Sequence, residues 1–147
     1  MRLLLDTDVV LDVLLEREGF VEPTNRLFAL AEAHLLEGVP CAATMTTVDD
    51  LVAKTRGRRA AHAALRDLLD LFDAAPVEHE TLRRALDAPL ADFEDAVLHE
   101  AARAQGADAI VTRDAKDDRK GDLPAWLPAE AVARLAGARP NPSFLAR

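Results

Sequence analysis

The sequence predicts an α/β/α sandwich around a central, mostly parallel sheet of about four to five strands. Short apolar runs of strand length, Leu3 to Leu5, Val39 to Ala43 and Ala109 to Thr112, alternate with longer segments of helical periodicity. No repeat, low-complexity tract or linker interrupts them, so the 147 residues read as one domain. Its core spans about 1–120, a C-terminal strand and helix about 122–137, and a loose tail 138–147. Ligands of parallel sheets gather at the C-terminal ends of the strands. Two of these runs end in an aspartate there, Asp6 and Asp114.

The elements follow in order. Leu3 to Leu5, ended by Asp6-Thr-Asp8, suits a buried strand whose carboxyl edge opens into a helix near Val9. Asp8 is the expected cap of that helix, and Asp12, one turn on, is expected at the surface. Pro23-Thr-Asn25 begins a second helix, with Leu27, Leu30 and Ala31 on one stripe and Gly38 beyond its end. Val39 to Ala43 is the second strand, and Thr46 or Thr47 caps the helix after it. From about Arg59 to Asp73, Leu65, Leu68, Leu69 and Phe72 form one apolar face. Pro76-Val77 breaks the chain, with room for a short strand, before a helix to about Leu86. Asp92 starts a helix carrying Phe93, Val97, Ala101 and Ala104 inward and ending at Gly106. Ala109 to Thr112 is the last central strand. Pro124, Pro128, Pro140 and Pro142 loosen the rest, though Ala129 to Leu135 suits a final helix.

Composition narrows the function. Half the residues are apolar and 30% are charged, and no run approaches the roughly 18 apolar residues of a membrane span. The N-terminus turns acidic too soon for a secretory signal, and the single Cys41 cannot form an internal disulfide; both point to a cytoplasmic protein with no membrane partner. Nothing resembles a Cys/His zinc site. A net charge of −8 argues against a generic nucleic-acid coat, since phosphate binding relies on lysine and arginine. An active site of carboxylates contributes such charge by itself. One compact basic cluster, Lys54-Thr-Arg56-Gly-Arg58-Arg59 with Arg66 beyond, offers either a solvated helix junction or a phosphate contact.

The acids carry the chemistry. Several carboxylates share a small space only when a divalent cation neutralises them. Asp6 ends a strand and points over the sheet edge. Asp49 and Asp50 diverge by ~100° on a helix, so only one of them faces a given site; Asp50 is the candidate. Asp92, Glu94 and Asp95 crowd one helix start, more acid than capping requires. Asp95 precedes the small Ala96, which permits close packing near a strand end. Asp114 closes Ile110-Val-Thr-Arg-Asp, where Thr112 is placed to hydrogen-bond a ligating carboxylate. Asp117 and Asp118 add charge in the loop that follows.

Taken together, these segments resemble the PIN-domain ribonucleases, and within them the bacterial toxins of VapC type. The resemblance rests on Leu-Leu-Leu-Asp6-Thr-Asp-Val, the helix around Asp50 ending in Lys54, Asp92-Phe-Glu-Asp95-Ala, and Gly106 to Asp114 with Lys116-Asp117 after it. The stretch Leu123 to Glu130 is similar to the family's final strand and helix. The resemblance implies a PIN-like fold and hydrolysis of RNA with Mg²⁺ or Mn²⁺. It further implies Asp6, Asp95 and Asp114 as metal ligands, Asp50 as a fourth catalytic acid, and Asp92 and Thr112 in support. Lys54, Arg56 and Arg58 are candidate RNA contacts. A cognate antitoxin and homodimerisation are also implied. Asp50 stands where many members carry glutamate, and Asp118 where an aromatic is usual. Two other readings compete: a catalytically inactive PIN-like scaffold, and a phosphatase of haloacid-dehalogenase type using Asp6 as nucleophile and Asp8 as acid/base. The phosphatase lacks its expected Gly-Thr loop. A phosphoacceptor receiver domain fits least, having no convincing paired acids or later lysine.

Overall fold

A computed structural model describes residues 1–114 and 121–137. Lys116, Asp117, Asp118 and the tail from 138 onward lie outside the described residues.

Four strands form one parallel sheet in the order β2-β1-β3-β4: β1 (Arg2–Leu5), β2 (Glu37–Pro40), β3 (Ala109–Val111) and β4 (Ala125–Trp126). Leu3, Leu4 and Leu5 pair with Gly38, Val39 and Pro40 on one side and with Ala109, Ile110 and Val111 on the other. β1 is therefore central, which explains its continuous apolar run. Successive side chains point to opposite faces. Leu3 and Leu5 join a core with Val9 to Leu11, Leu27, Val48, Val52 and Leu68, and Leu4 joins a second core with Val39, Leu98, Ala101 and Ile110.

Seven helices cover these faces among the described residues. The first core takes α1 (Thr7–Leu14), α2 (Val21–Glu32), α3 (Met45–Arg56), α4 (Arg58–Leu71) and α7 (Pro128–Gly137). The second takes α6 (Phe93–Ala104), against which α5 (His79–Asp87) packs through Ala85, Ala96 and Val97. Pro23 sits in the first turn of α2, where no helical N–H is needed. Gly57, at φ 88°, is the hinge that separates α3 from α4.

Several boundaries differ from the sequence expectation, each for a local reason. The first helix begins at Thr7 because Asp6, rather than Asp8, is its cap. β2 ends at Pro40, after which Cys41 only bridges Ala75 and Ala42–Thr44 forms a 3-10 turn. Ala75, just before Pro76, carries that bridge in place of a strand. The cap position of α3 is Thr44, whose hydroxyl donates to the Cys41 carbonyl at 3.0 Å, leaving Thr46 and Thr47 in the first turn. Leu69 and Phe93, expected inside, are about half exposed, and Ala104 is exposed; Leu68, Phe72, Val97 and Ala101 supply the buried positions of those helices.

Candidate active site

Asp6 lies where β1 becomes α1. Its backbone N–H still donates to Val111 O, and its carbonyl accepts from Val9 and Val10. Its side chain divides between two donors: Oδ1 accepts from the Thr7 N–H at 2.7 Å and Oδ2 from the Thr112 hydroxyl at 3.0 Å. Thr112 is buried, and its own N–H is held by Trp126 O. The same hydroxyl oxygen accepts from the Asp114 N–H at 3.2 Å. One threonine thus joins the ends of β1 and β3, and Asp6 and Asp114 are separated by two hydrogen bonds.

The start of α6 stands at the same edge of the sheet. Leu98, one turn into the helix, packs with Leu4, Cys41 and Ile110. Glu94 acts electrostatically on Cys41, just past the end of β2. Burial pushes the Cys41 thiol pKa up, the Ala43 and Thr44 N–H groups pull it down, and Glu94 raises it further. Asp92 caps α6 by accepting from the Asp95 N–H at 3.0 Å, and the fully buried Ala96 lets the helix approach closely. Asp92, Glu94 and Asp95 are all exposed.

The α3 acids part company. Asp49 faces α4, 3.5 Å from Arg58 and 3.4 Å from His62, with Oδ1 buried and lacking a hydrogen bond among the described residues. Asp50 is exposed. Of the basic cluster, Arg58 is engaged with Asp49 and Arg56 with Glu16 at 3.7 Å, while Lys54 is exposed. Solvent-exposed ion pairs are weak enough to exchange for phosphate. Asp8, which a phosphatase would need beside Asp6, is paired with Arg17 at 3.3 Å.

Asp12 is the clearest departure from the sequence expectation. It is fully buried, and Arg113 grips it with a two-pronged fork, Nε at 2.8 Å and Nη2 at 2.7 Å. The Asp12 carboxylate raises the Arg113 pKa through these bonds, against the lowering effect of burial, with Asp8 adding to the rise. A signal was present: an acid inside the apolar run Val9 to Leu15 needs a buried partner. Sequence reasoning also passed over His99, buried one turn after Asp95, which accepts from the Asp122 N–H at 3.2 Å.

A PIN domain model matches residues 2–116, most of the chain. The chain belongs to the PIN-domain family. Solved structures share this PIN fold. VapBC2 from Rickettsia felis bound to a promoter DNA fragment is 14% identical, covers 85% of this chain and 97% of that one, and superposes with a TM-score of 0.66. A toxin–antitoxin complex from Klebsiella pneumoniae is 21% identical, covers 86% and 98%, and gives 0.64. FitAB bound to an IR36 DNA fragment is 15% identical, covers 86% and 95%, and gives 0.60. At these identities the likeness is one of fold. No curated protein sequence matches the chain.

The donor chemistry of this PIN domain fits a hard divalent cation. Among the described residues no three His, Cys, Asp or Glu side chains stand close enough to form a metal cage. Mg²⁺ does not require one, because it keeps several waters and takes one or two carboxylates. Asp6 and Asp114 supply oxygen chemistry at one sheet edge. The Thr7 hydroxyl beside Asp6 is a buried oxygen with no hydrogen bond among the described residues.

Proposed function

We propose that this PIN domain is a Mg²⁺- or Mn²⁺-dependent ribonuclease and the toxin half of a type II toxin–antitoxin pair. The observation that carries the reading is the Thr112 hydroxyl, which orients Asp6 and tethers Asp114 at the carboxyl edge of the sheet. Asp6, Asp95 and Asp114 would hold the ion, directly or through water, with Asp50 as the fourth acid and Asp92 fixing the turn that carries Asp95. An ion held there would supply a water of lowered pKa and stabilisation of the charge on the scissile phosphate. The chain's own part is orientation. Thr7 N–H and Thr112 fix the two Asp6 oxygens, so that carboxylate does not reorganise when RNA arrives. Lys54, Arg56 and Arg58 would receive backbone phosphates by releasing their surface partners.

Support for the toxin assignment comes from neighbours of the same fold, one a toxin–antitoxin complex by name and another named VapBC2. In this reading a cognate antitoxin covers the acidic edge, where an arginine of its own can reach the carboxylates. The active form is a homodimer in the cytoplasm. The test is cleavage of total RNA by purified protein. Products should appear with Mg²⁺ or Mn²⁺, vanish with EDTA and return on adding metal. Cleavage that persists in EDTA, or inert protein under all these conditions, contradicts the reading.

A further inference from the structure

We propose that Asp12 and Arg113 are positioning residues for the carboxylates at the sheet edge, and that they set the metal affinity of the site without touching the ion. The inference rests on the metal-site reading above. Arg113 lies between Thr112, which binds Asp6, and Asp114, so whatever fixes the Arg113 backbone fixes both neighbours. Its guanidinium is held on two sides: its fork lies on Asp12, and its face stacks on Phe20 with Cζ 3.9 Å from the ring centre. A bidentate pair fixes direction as well as distance. With fork and face both occupied, Arg113 is not a cation held ready for RNA phosphate.

The pair belongs to a longer chain of alternating charge. Arg17 Nη1 lies 3.3 Å from Asp8 and 3.6 Å from Asp12, and Asp12 meets Arg113. This network begins in the first turn of α1, two residues beyond Asp6, and ends one residue before Asp114. It therefore staples together the two segments that bear those acids, in addition to the Thr112 bridge and the backbone bond from Asp6 to Val111. Surface charges do not need such a device. Asp12, fully buried in the first core region, is retained at a desolvation cost that a leucine would avoid.

The experiment is calorimetric titration of Mn²⁺ into the full-length chain and two variants. Arg113→Lys keeps the charge but loses the fork. Asp12→Leu with Arg113→Met replaces the pair by apolar groups of similar volume, a change that buried ion pairs tolerate without loss of stability. The expected result is a fully folded double variant, by melting and circular dichroism, with Mn²⁺ affinity lowered about 10–100-fold, the size typical of lost orienting contacts. Arg113→Lys should fall in the same direction, with kcat for RNA reduced and KM unchanged. If the wild type binds Mn²⁺ and either folded variant binds it equally well, the positioning role is overturned while the site stands. If the wild type itself fails to bind Mn²⁺, the metal-site reading falls, and this inference with it.

Discussion

The two ends of the central strand handle charge in opposite ways. At the amino end, the Arg2 guanidinium meets an acid, donating from Nε to Glu37 at 3.0 Å and from Nη1 to the Gln105 carbonyl, while the Arg2 backbone N–H donates to Asp108 at 2.8 Å. At the carboxyl end, the bonds described for Asp6 come from a backbone N–H and a hydroxyl. Such bonds orient a carboxylate without neutralising its charge. The described bonds thus set a guanidinium against Glu37 at one edge and orient the Asp6 oxygens at the other.

The sharpest way to break this contrast is Asp6→Asn. The amide oxygen still caps Thr7, so the melting temperature should move by only a few degrees while metal-dependent RNA cleavage is lost. Retained cleavage by a folded, contaminant-free variant would remove Asp6 from the mechanism. Thr112→Val comes next. It strips the shared hydroxyl and leaves Asp6 and the Asp114 N–H to repartner, at about 1–3 kcal/mol and about 10–100-fold in activity. Denaturant melts and initial rates measure the two effects separately.

Changes at the amino end should touch stability alone. A Cβ on Gly38 would stand 2.5 Å from the Phe72 ring, so Gly38→Ala should cost about 1–3 kcal/mol by overpacking, with the rate per folded molecule unchanged. Arg2→Ala should cost under about 1 kcal/mol, since Arg2 and Glu37 are both substantially exposed. A drop in cleavage by folded Arg2→Ala would show that the two edges are coupled.

The smallest effect concerns Cys41. Its folded pKa is raised, chiefly by burial, so the folded state holds the thiol proton more tightly than the unfolded state. Its stabilising contribution is complete below the ordinary thiol pKa and is lost as pH rises through the folded value. Melts of wild type and Cys41→Ala should therefore converge in that alkaline window. Parallel curves would argue against the shift.

Much of this was legible in the sequence because the informative signals are local. Three leucines followed by Asp6 marked a buried strand and the place where it ends, and Asp92 marked the start of α6 correctly. Thr112 was placed as the support for a carboxylate, and the structure shows that bond to Asp6. What was missed depends on partners distant along the chain. Asp12 read as surface because Arg113 is 101 residues away. Asp8 read as the helix cap because either aspartate of Asp6-Thr-Asp8 suits that role, and the structure gives it to Asp6 through the Thr7 N–H. Leu69 and Phe93 fit their helical stripes but face solvent, because periodicity gives a face and not how much of that face is covered.

The contrast between the two edges can be read in one titration. Mn²⁺ added in small amounts to isotopically labelled protein broadens nuclear resonances near the bound ion. The account predicts that the amide signals of Asp6, Thr7, Thr112 and Asp114 vanish first, while those of Arg2, Glu37 and Asp108, about 13 Å along the strand, broaden only at higher Mn²⁺. Equal broadening at both ends, or loss at the amino end first, would contradict it.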